Sequence, residues 1–542
     1  MDSRDRLIIK VFLKFSNSLG PEALSKVNEI LGEIEASDDD VESIVERLAT
    51  EYNKQDDAQM KVSVDVLERV YESLQEQGDT SDPDEKEVID PSSHLYVIDA
   101  FEMPCWHWSI ERGTFEKVST PLTVSGSAES RVSAVRDRLD IIRQCVLRNE
   151  HFAPSTLPSR DRQRLVTLKS TKQLLGRAGE RFLLLGMLTH SKEGKLCLED
   201  GDGSVELDFS KLDEPGEGLF TEGCFALVEG EYTEEGTLEI IAIGQPPCET
   251  RQTARSIYGH IDFLGQGSTS ILEDSKLAVR VQEDLADLHL FFLSDVWLDQ
   301  ASTFVGLRKM FDHCIENDFF PTMIVMCGNF TSRSISHGSS LDIQRYQDNF
   351  DSLADLISEY PRFSRYVHFV FVPGPLDITV NSILPRRSLL SSFTARLKSK
   401  LTHAHFPSNP CRIKFFHQEI VIFREDLMSR MLRNIVGVKP EVKSDDLKKY
   451  LVQTILDQAH LNPLTANIYP TLSDFDHALR LYPLPTALIL ADKYDRYKVT
   501  YTGCHVFNPG SFLGNSYTFS AFKPAEVNSE ECFLDLDAQE DT

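Results

Sequence analysis

The chain has 542 residues, 41% of them hydrophobic, with 85 acidic against 56 basic side chains and a formal net charge of -29. Length alone predicts roughly two to four domains with sizeable cores. The acidity argues against a chain that grips nucleic acid itself, which needs clustered Lys and Arg, but not against one working beside DNA that a partner holds. The ten cysteines (Cys105, Cys145, Cys197, Cys224, Cys248, Cys314, Cys327, Cys411, Cys504 and Cys532) contain no Cys-x-x-Cys. A zinc ribbon or finger is therefore not expected, and the thin spread reads as reduced thiols of an intracellular protein. The N-terminal segment lacks a signal-type apolar core, being interrupted by Lys10 and Lys14. No run approaches the ~20 apolar residues of a membrane span. The cytosol or nucleus is expected.

Residues 1–75 predict a small helical domain. Ile8, Val11, Phe12 and Phe15 form one apolar stripe, and Gly20-Pro21 ends one helix and opens the next. Leu24, Val27, Leu31 and Ile34 form a second stripe. Ser37-Asp38-Asp39-Asp40 offers an N-cap to a third helix carrying Val41, Ile44, Val45 and Leu48. Leu67, Val70, Tyr71 and Leu74 make the fourth. Such stripes ordinarily mean core packing; a docking module is the alternative. Residues 76–93, acidic and with two prolines, read as a flexible linker.

Residues 94–160 read as a strand and helix extension packing on the core. It holds a strand at "HLYVIDAF", a hairpin turning at Glu111-Arg112-Gly113-Thr114, and a long helix whose apolar stripe is Val132, Val135, Leu139 and Ile142. Residues 161–285 read as an OB-like β-barrel. Five short strands are separated by turns such as Gly201-Asp202-Gly203 and Glu234-Glu235-Gly236. OB barrels bind single strands through aromatics and a basic groove. This one is acidic, so scaffolding is expected, with a single-stranded DNA-binding module as a further alternative. "DGDGSVE" resembles the start of a calcium loop, but position 12 is Lys211 and the flanks are strands. A hairpin turn is expected there.

From 286 to 542, apolar strands alternate with helical stretches, the pattern of an α/β domain with a buried sheet. The fold class is multidomain α+β. The tail "SEECFLDLDAQEDT" is expected to fray at its end.

Several of these last strands end in a turn with a polar residue, where ligands gather in open α/β sheets. The first is "FFLSDVWLD", Phe291 to Asp299. The order of turns resembles the calcineurin-like metallophosphoesterases. Their Asp-x-His is Asp295-Val296-Trp297 here, and their Gly-Asp is Gly328-Asn329. Their Gly-Asn-His-Asp/Glu is Gly374-Pro375-Leu376-Asp377, with His460 as the lone His. Their Gly-His-x-His is Ala491-Asp492-Lys493-Tyr494. Two-metal hydrolysis needs cations ~3.5–4 Å apart on shared ligands. An indole cannot ligate, and a neutral amide lacks the charge of a bridging carboxylate. The resemblance therefore implies an inactivated site at Asp295, Trp297, Asn329, Asp377, His460, Asp492 and Tyr494, with no metal, no cofactor and no catalysis. The surviving carboxylates Asp295, Asp377 and Asp492 are expected to cap loops or accept hydrogen bonds, with binding of a single metal ion as the alternative. Trp297 is expected to fill the vacated cleft with its N–H on a carbonyl. An active metal-dependent phosphodiesterase or nuclease is the alternative.

An OB barrel ahead of such a domain resembles the B-subunit family of eukaryotic replicative DNA polymerases. "YGHIDFLG" (258–265), "FVFVPGPLD" (369–377), "VIFREDL" (421–427), "ALRLYPLP" (478–485) and "FNPGSF" (507–512) are similar to its epsilon branch. The resemblance implies a non-catalytic nuclear scaffold in leading-strand replication. Its OB and phosphoesterase domains would hold the C-terminal domain of the catalytic subunit. The N-terminal domain, similar to the helical lid of AAA+ ATPases, would bind the GINS part of the replicative helicase. Small histone-fold subunits would share the complex, DNA would be met mainly through it, and no membrane is involved. The chain has no Walker A motif, so ATP hydrolysis is not expected.

Overall fold

In this computed structural model the described residues are 3–15, 17–33, 41–53, 61–78, 90–152, 167–212, 214–335, 339–437 and 444–535. Four helices come first: α1 (Ser3–Lys14), α2 (Pro21–Glu33), α3 (Val41–Asn53) and α4 (Val64–Gly78). The apolar stripes converge on a core of their own, with Ile8, Phe12, Val27, Leu31, Val45, Leu48, Leu67 and Val70 buried. Phe15, Leu24, Ile44 and Tyr71 pack at its rim. Ile34, the side chain of Leu74 and the acidic N-cap run 37–40 lie outside what is described. Helix α4 continues to Gly78, three residues into the segment that composition reads as linker; residues 79–89 lie outside the described residues.

Next come β1 (Leu95–Asp99), the hairpin β2 (Trp106–Ser109) and β3 (Thr114–Lys117), and the long helix α5 (Ala128–Arg148). Gly113 supplies the positive φ of 62° that the hairpin turn requires. Ser127 and Ser130 cap each other at the start of α5. The apolar stripe expected for this helix holds in its second half, where Ile142 is buried and Leu139 packs beside it, and is corrected in its first. Val132 and Val135 are 51% and 37% exposed, and the buried face is Ala134, Ile141, Ile142, Cys145 and Val146. The first turns of α5 bury Ala134 and bring the Ser130 hydroxyl to 3.0 Å from that of Ser473, and its C-terminal half is covered on two sides. Ile142 and Val146 meet Leu183, Leu185 and Phe225 of the barrel, while Ile141 and Cys145 meet Phe115, Tyr258 and Tyr482.

The barrel consists of β4 (Leu168–Lys169), β5 (Arg181–His190), β6 (Leu196–Glu199), β7 (Ser204–Asp208), β8 (Phe225–Tyr232) and β9 (Thr237–Gly244). Pairings run β5-β6-β7-β9-β8 and return to β5, so five strands close on themselves and β4 adds to β5. Gly186 lies where a Cβ would come within 2.7 Å of the Glu199 carbonyl oxygen, so the strands cross closely there. The "DGDGSVE" segment forms the β6–β7 hairpin turn. Asp200 Oδ1 accepts the Asp202 and Gly203 N–H groups at 2.8 and 3.0 Å. Two helices follow, α6 (Arg251–Tyr258) and α7 (Ile271–Asp284).

The remaining elements are β10 (Leu290–Leu293), α8 (Ala301–Glu316), β11 (Met323–Cys327), α9 (Ser340–Ser358), α10 (Pro361–Tyr366), β12 (His368–Val372) and α11 (Ser391–Lys400). Then come β13 (Ala404–His405), β14 (Cys411–Phe415), β15 (Gln418–Arg424), α12 (Leu427–Arg433) and α13 (Ser444–Asp457). Last are β16 (Ala487–Ala491), β17 (Tyr497–Tyr501), β18 (Cys504–Asn508), β19 (Thr518–Lys523) and β20 (Asn528–Phe533). They build two six-stranded sheets, β13-β12-β11-β10-β19-β20 and β1-β14-β15-β16-β18-β17. Strand β1 thus joins a sheet whose other members lie more than 300 residues later, pairing Leu95 with Phe415.

Strand alternation decides the layers. Leu290, Phe292, Val325 and Val370 point at Ile420, Ile422 and Ile489 of the other sheet. Phe291, Leu293, Met326 and Phe371 point at α8, α9 and α11. Val421, Phe423 and Leu488 face α12 and α13. The result is helix, sheet, sheet, helix. The acidic tail opens as part of β20, which pairs with β19 and carries a buried Ser529; the end of the tail, where fraying is expected, lies beyond it. Residues 536–542 lie outside the described residues.

The burial of α5 gives a direct test. Ile142→Ala should cost about 2–4 kcal/mol of stability, and Val132→Ser less than about 0.5 kcal/mol, read from denaturant unfolding of the two variants. Equal costs would contradict the assigned face.

Candidate functional site

The carboxyl ends of β10, β11 and β12 in one sheet meet those of β15, β16 and β18 in the other. Asp295 follows β10 with φ +53°, a left-handed conformation that Asp tolerates better than most residues. Its Oδ1 accepts the backbone N–H and the side-chain Nδ2 of Asn329, each at 3.1 Å. The Asn329 Oδ1 accepts the Leu376 N–H at 2.8 Å. Asp377 Oδ1 accepts the Phe330 N–H at 2.8 Å and the Tyr346 hydroxyl at 3.0 Å, and its Oδ2 accepts the Gly374 N–H at 2.7 Å. Across the cleft, Asp492 accepts the Met428 and Tyr494 N–H groups at 2.9 and 3.0 Å. Asn508 Oδ1 receives the Asp492 N–H at 3.1 Å.

The group that joins the two sides is Arg424, at the end of β15 and fully buried. Its Nη2 donates to Asp295 Oδ1 at 2.7 Å and its Nη1 to Asp426 Oδ1 at 2.9 Å. Its Nε donates to the Gly328 carbonyl at 2.6 Å, and Nη1 also reaches the Ala491 carbonyl at 3.2 Å. One guanidinium therefore ties the ends of β10, β11, β15 and β16. A second buried pair, Arg386 with Glu425 at 2.9 Å, lies beside it, with the Tyr469 hydroxyl also donating to Glu425. Two glycines allow the loops to close. A Cβ at Gly328 would fall 1.9 Å from Asp377 Oδ2, and one at Gly374 would fall 2.6 Å from Asn329 Oδ1.

Burial pushes the Asp377 carboxyl up to about 6, although the Gly374 and Phe330 N–H groups and Tyr346 pull against it. Burial, aided by the Asp426 charge, likewise pushes Asp492 up to about 6. At Asp426 burial also raises the carboxyl, but Arg424 reverses the sign and holds it low. Burial opposes the charge on Arg424, and Asp295 and Asp426 more than restore it.

Of the residues expected at the site, the fold brings Asp295, Asn329, Asp377, Asp492 and Tyr494 to this junction. Trp297 follows Asp295 in the same turn. It is half-buried, and its backbone N–H makes the turn by donating to the Asp295 carbonyl at 3.0 Å. The apolar residues on either side of it, Val296 and Leu298, are buried. His460 has other partners. Its Nδ1 accepts the Asn462 N–H at 3.0 Å and its Nε2 lies 3.4 Å from Asp476, which itself pairs with Arg138 of α5. Burial, then the Arg138 charge, lower its basicity. Sequence reasoning misses Arg424. Its signal is a cation closing the apolar strand "EIVIFRED", where a charge is buried only when paired.

The donor set does not fit a pair of metal ions. Position 329 offers a neutral amide, position 297 an indole, and a guanidinium already neutralises Asp295. Among the described residues, no three His, Cys, Asp or Glu side chains converge closely enough to hold a metal. The arrangement instead fixes loops.

Two family models match the chain. The first, DNA polymerase epsilon subunit 2-like, OB-fold domain, covers residues 128–247. The second, for the B subunit of DNA polymerase alpha/epsilon, covers 290–499. DNA polymerase epsilon subunit 2 of Homo sapiens is 35% identical over 496 residues, spanning 87% of this chain and 92% of the relative. The chain belongs to the DNA polymerase epsilon B-subunit family. The epsilon B subunit of Arabidopsis thaliana is 34% identical over 448 residues, with 82% and 84% of the two chains covered. That of Schizosaccharomyces pombe is 35% identical over 490 residues, with 86% and 81% covered. The first family match begins at Ala128, the start of α5, and the second at Leu290, the start of β10. The matched OB-fold region therefore takes in α5 as well as the barrel strands.

Two outcomes follow from the junction. Gly374→Ala should lower the melting temperature by several degrees, since about 1–3 kcal/mol attends an overpacked buried contact; an unchanged melt would contradict the close approach. Asp492 holds its proton in the folded state up to about pH 6 against a usual 3.8. A raised carboxyl favours folding at low pH and loses that advantage as pH climbs from about 4 through 6. Asp492→Asn should therefore gain on the parent by about 2 kcal/mol between pH 4 and pH 8, measured by chemical unfolding at both; a constant difference would contradict it.

Proposed function

We propose that the chain is a non-catalytic scaffold subunit of a nuclear DNA polymerase epsilon complex. Its C-terminal part is read as a calcineurin-like phosphoesterase fold that has exchanged its metals for Arg424. That exchange carries the reading: a cation of fixed position now does structurally what two metal ions would do, and it leaves no open coordination position. Together with the OB barrel this unit would hold the C-terminal domain of the catalytic subunit. The four-helix N-terminal unit has a separate core and is followed by an acidic stretch, which supports a tethered module for the GINS part of the helicase. Small histone-fold subunits would complete the complex. The net charge of -29 favours contact with DNA mainly through those partners.

The test is co-purification. The full chain should carry the C-terminal domain of a polymerase epsilon catalytic subunit through size exclusion. Removing residues 1–78 should spare that complex and abolish GINS capture. Loss of the polymerase complex on this deletion would overturn the assignment. The purified chain should also show no manganese-stimulated phosphodiester hydrolysis, and Asn329→Asp should not create it. Activity above a chelated control that disappears in Asp295→Ala would establish the enzymatic alternative.

A further inference from the structure

A second constellation of reactive groups lies away from the sheet ends, where the β2–β3 hairpin meets α5. The Cys105 Sγ stands 3.8 Å from His107 Nε2. The other nitrogen of that ring, Nδ1, stands 3.6 Å from Asp137 Oδ2 on α5. Asp137 is itself fixed. Its Oδ1 accepts the Trp108 N–H at 2.6 Å, and its Oδ2 accepts Arg480 Nη1 at 3.2 Å. A second imidazole, His477, also interacts with the thiol. Its Nε2 lies 3.3 Å from the Met103 carbonyl, and its buried Nδ1 has no hydrogen-bond partner among the described residues. A thiol, an imidazole and a carboxylate in sequence are the elements of an activated nucleophile. Cys105 itself is only 6% exposed. The His107 side chain is 40% exposed and opens onto a cleft of about 560 Å³ lined with Trp108, Val132, Arg136, Asp137 and Asp140.

We propose that Cys105 is a peroxide-reactive thiolate, activated by His107 and oriented through Asp137. The thiolate attacks one peroxide oxygen, forming an S–O bond as the O–O bond breaks. The departing hydroxide takes the proton of the His107 imidazolium and leaves as water. Sulfur is oxidised by two electrons to a sulfenic acid, peroxide is reduced, and His107 ends neutral.

The electrostatics of all ten cysteines single this one out. Burial raises the Cys105 thiol, but the neighbouring His107 and His477 imidazoles outweigh it and bring it down to about 6. Asp137, then Cys105, raise His107 to about 10. Every other cysteine is pushed up, chiefly by burial: Cys145, Cys197, Cys224, Cys248, Cys314, Cys327, Cys411, Cys504 and Cys532. Low-pKa thiolates react, and buried neutral thiols are inert. The fold thus sets one of ten thiols apart.

The experiment treats the folded full chain with limiting hydrogen peroxide at neutral pH, traps sulfenic acid with a cyclic dione, and quantifies each cysteine peptide by mass spectrometry. Cys105 should be labelled at least about tenfold faster than any of the other nine, and His107→Gln should remove most of that advantage. The variant's melting temperature checks its fold. The unmodified chain decides the matter even if the variant misfolds: labelling of Cys105 no faster than the buried thiols would overturn the proposal. The reference set in both outcomes is the other nine thiols, Cys248 and Cys532 being only half-buried. Fast labelling that a folded His107→Gln variant retains would overturn the role of His107.

Discussion

The Arg424 guanidinium is the constraint on which the C-terminal unit turns. It ends a strand of one sheet, yet it bonds Asp295 and the Gly328 carbonyl after two strands of the other. Two sheets packed face to face through Leu, Ile, Val and Phe side chains can slide, because apolar burial is non-directional. A planar donor with fixed geometry sets the register at one end. The ion pair need not stabilise relative to an apolar substitute; its breakage is what costs, because the survivor is left buried and uncompensated.

From that point the loops are determined in turn. Asp295 positions Asn329, Asn329 receives the Leu376 N–H, and Asp377 gathers the Phe330 and Gly374 amides. Each carboxylate in the cluster accepts hydrogen bonds already. A junction built in this way has rigidity and little left over for chemistry. That suits a protein whose surfaces, rather than its cleft, carry the work.

The buried strands are legible in the sequence. "HLFFLSD", "TMIVMCGN", "VHFVFVPG" and "QEIVIFRE" are all members of the two sheets, because continuous apolar runs suit strands buried on both faces. The positions of Asp295, Asn329, Asp377 and Asp492 are legible from the order of strand-ending turns. Three things are not. The pairing of β1 with β14 spans over 300 residues, and no local pattern reports a partner that distant. The face of α5 escapes because periodicity shows which residues share a stripe, not how far along the helix a neighbour reaches. Arg424 is hidden because a charge inside an apolar run has meaning only beside its partner, here 129 residues away.

The most direct test of the account is a double-mutant cycle on Arg424→Met and Asp295→Leu, with stability read from native-state hydrogen exchange of the β10 and β15 amides. Each single change should cost about 3–5 kcal/mol. The pair together should cost at least about 2 kcal/mol less than the sum, because neither charge is then left alone. Additive losses would contradict the claim that this one ion pair holds the two sheets in register.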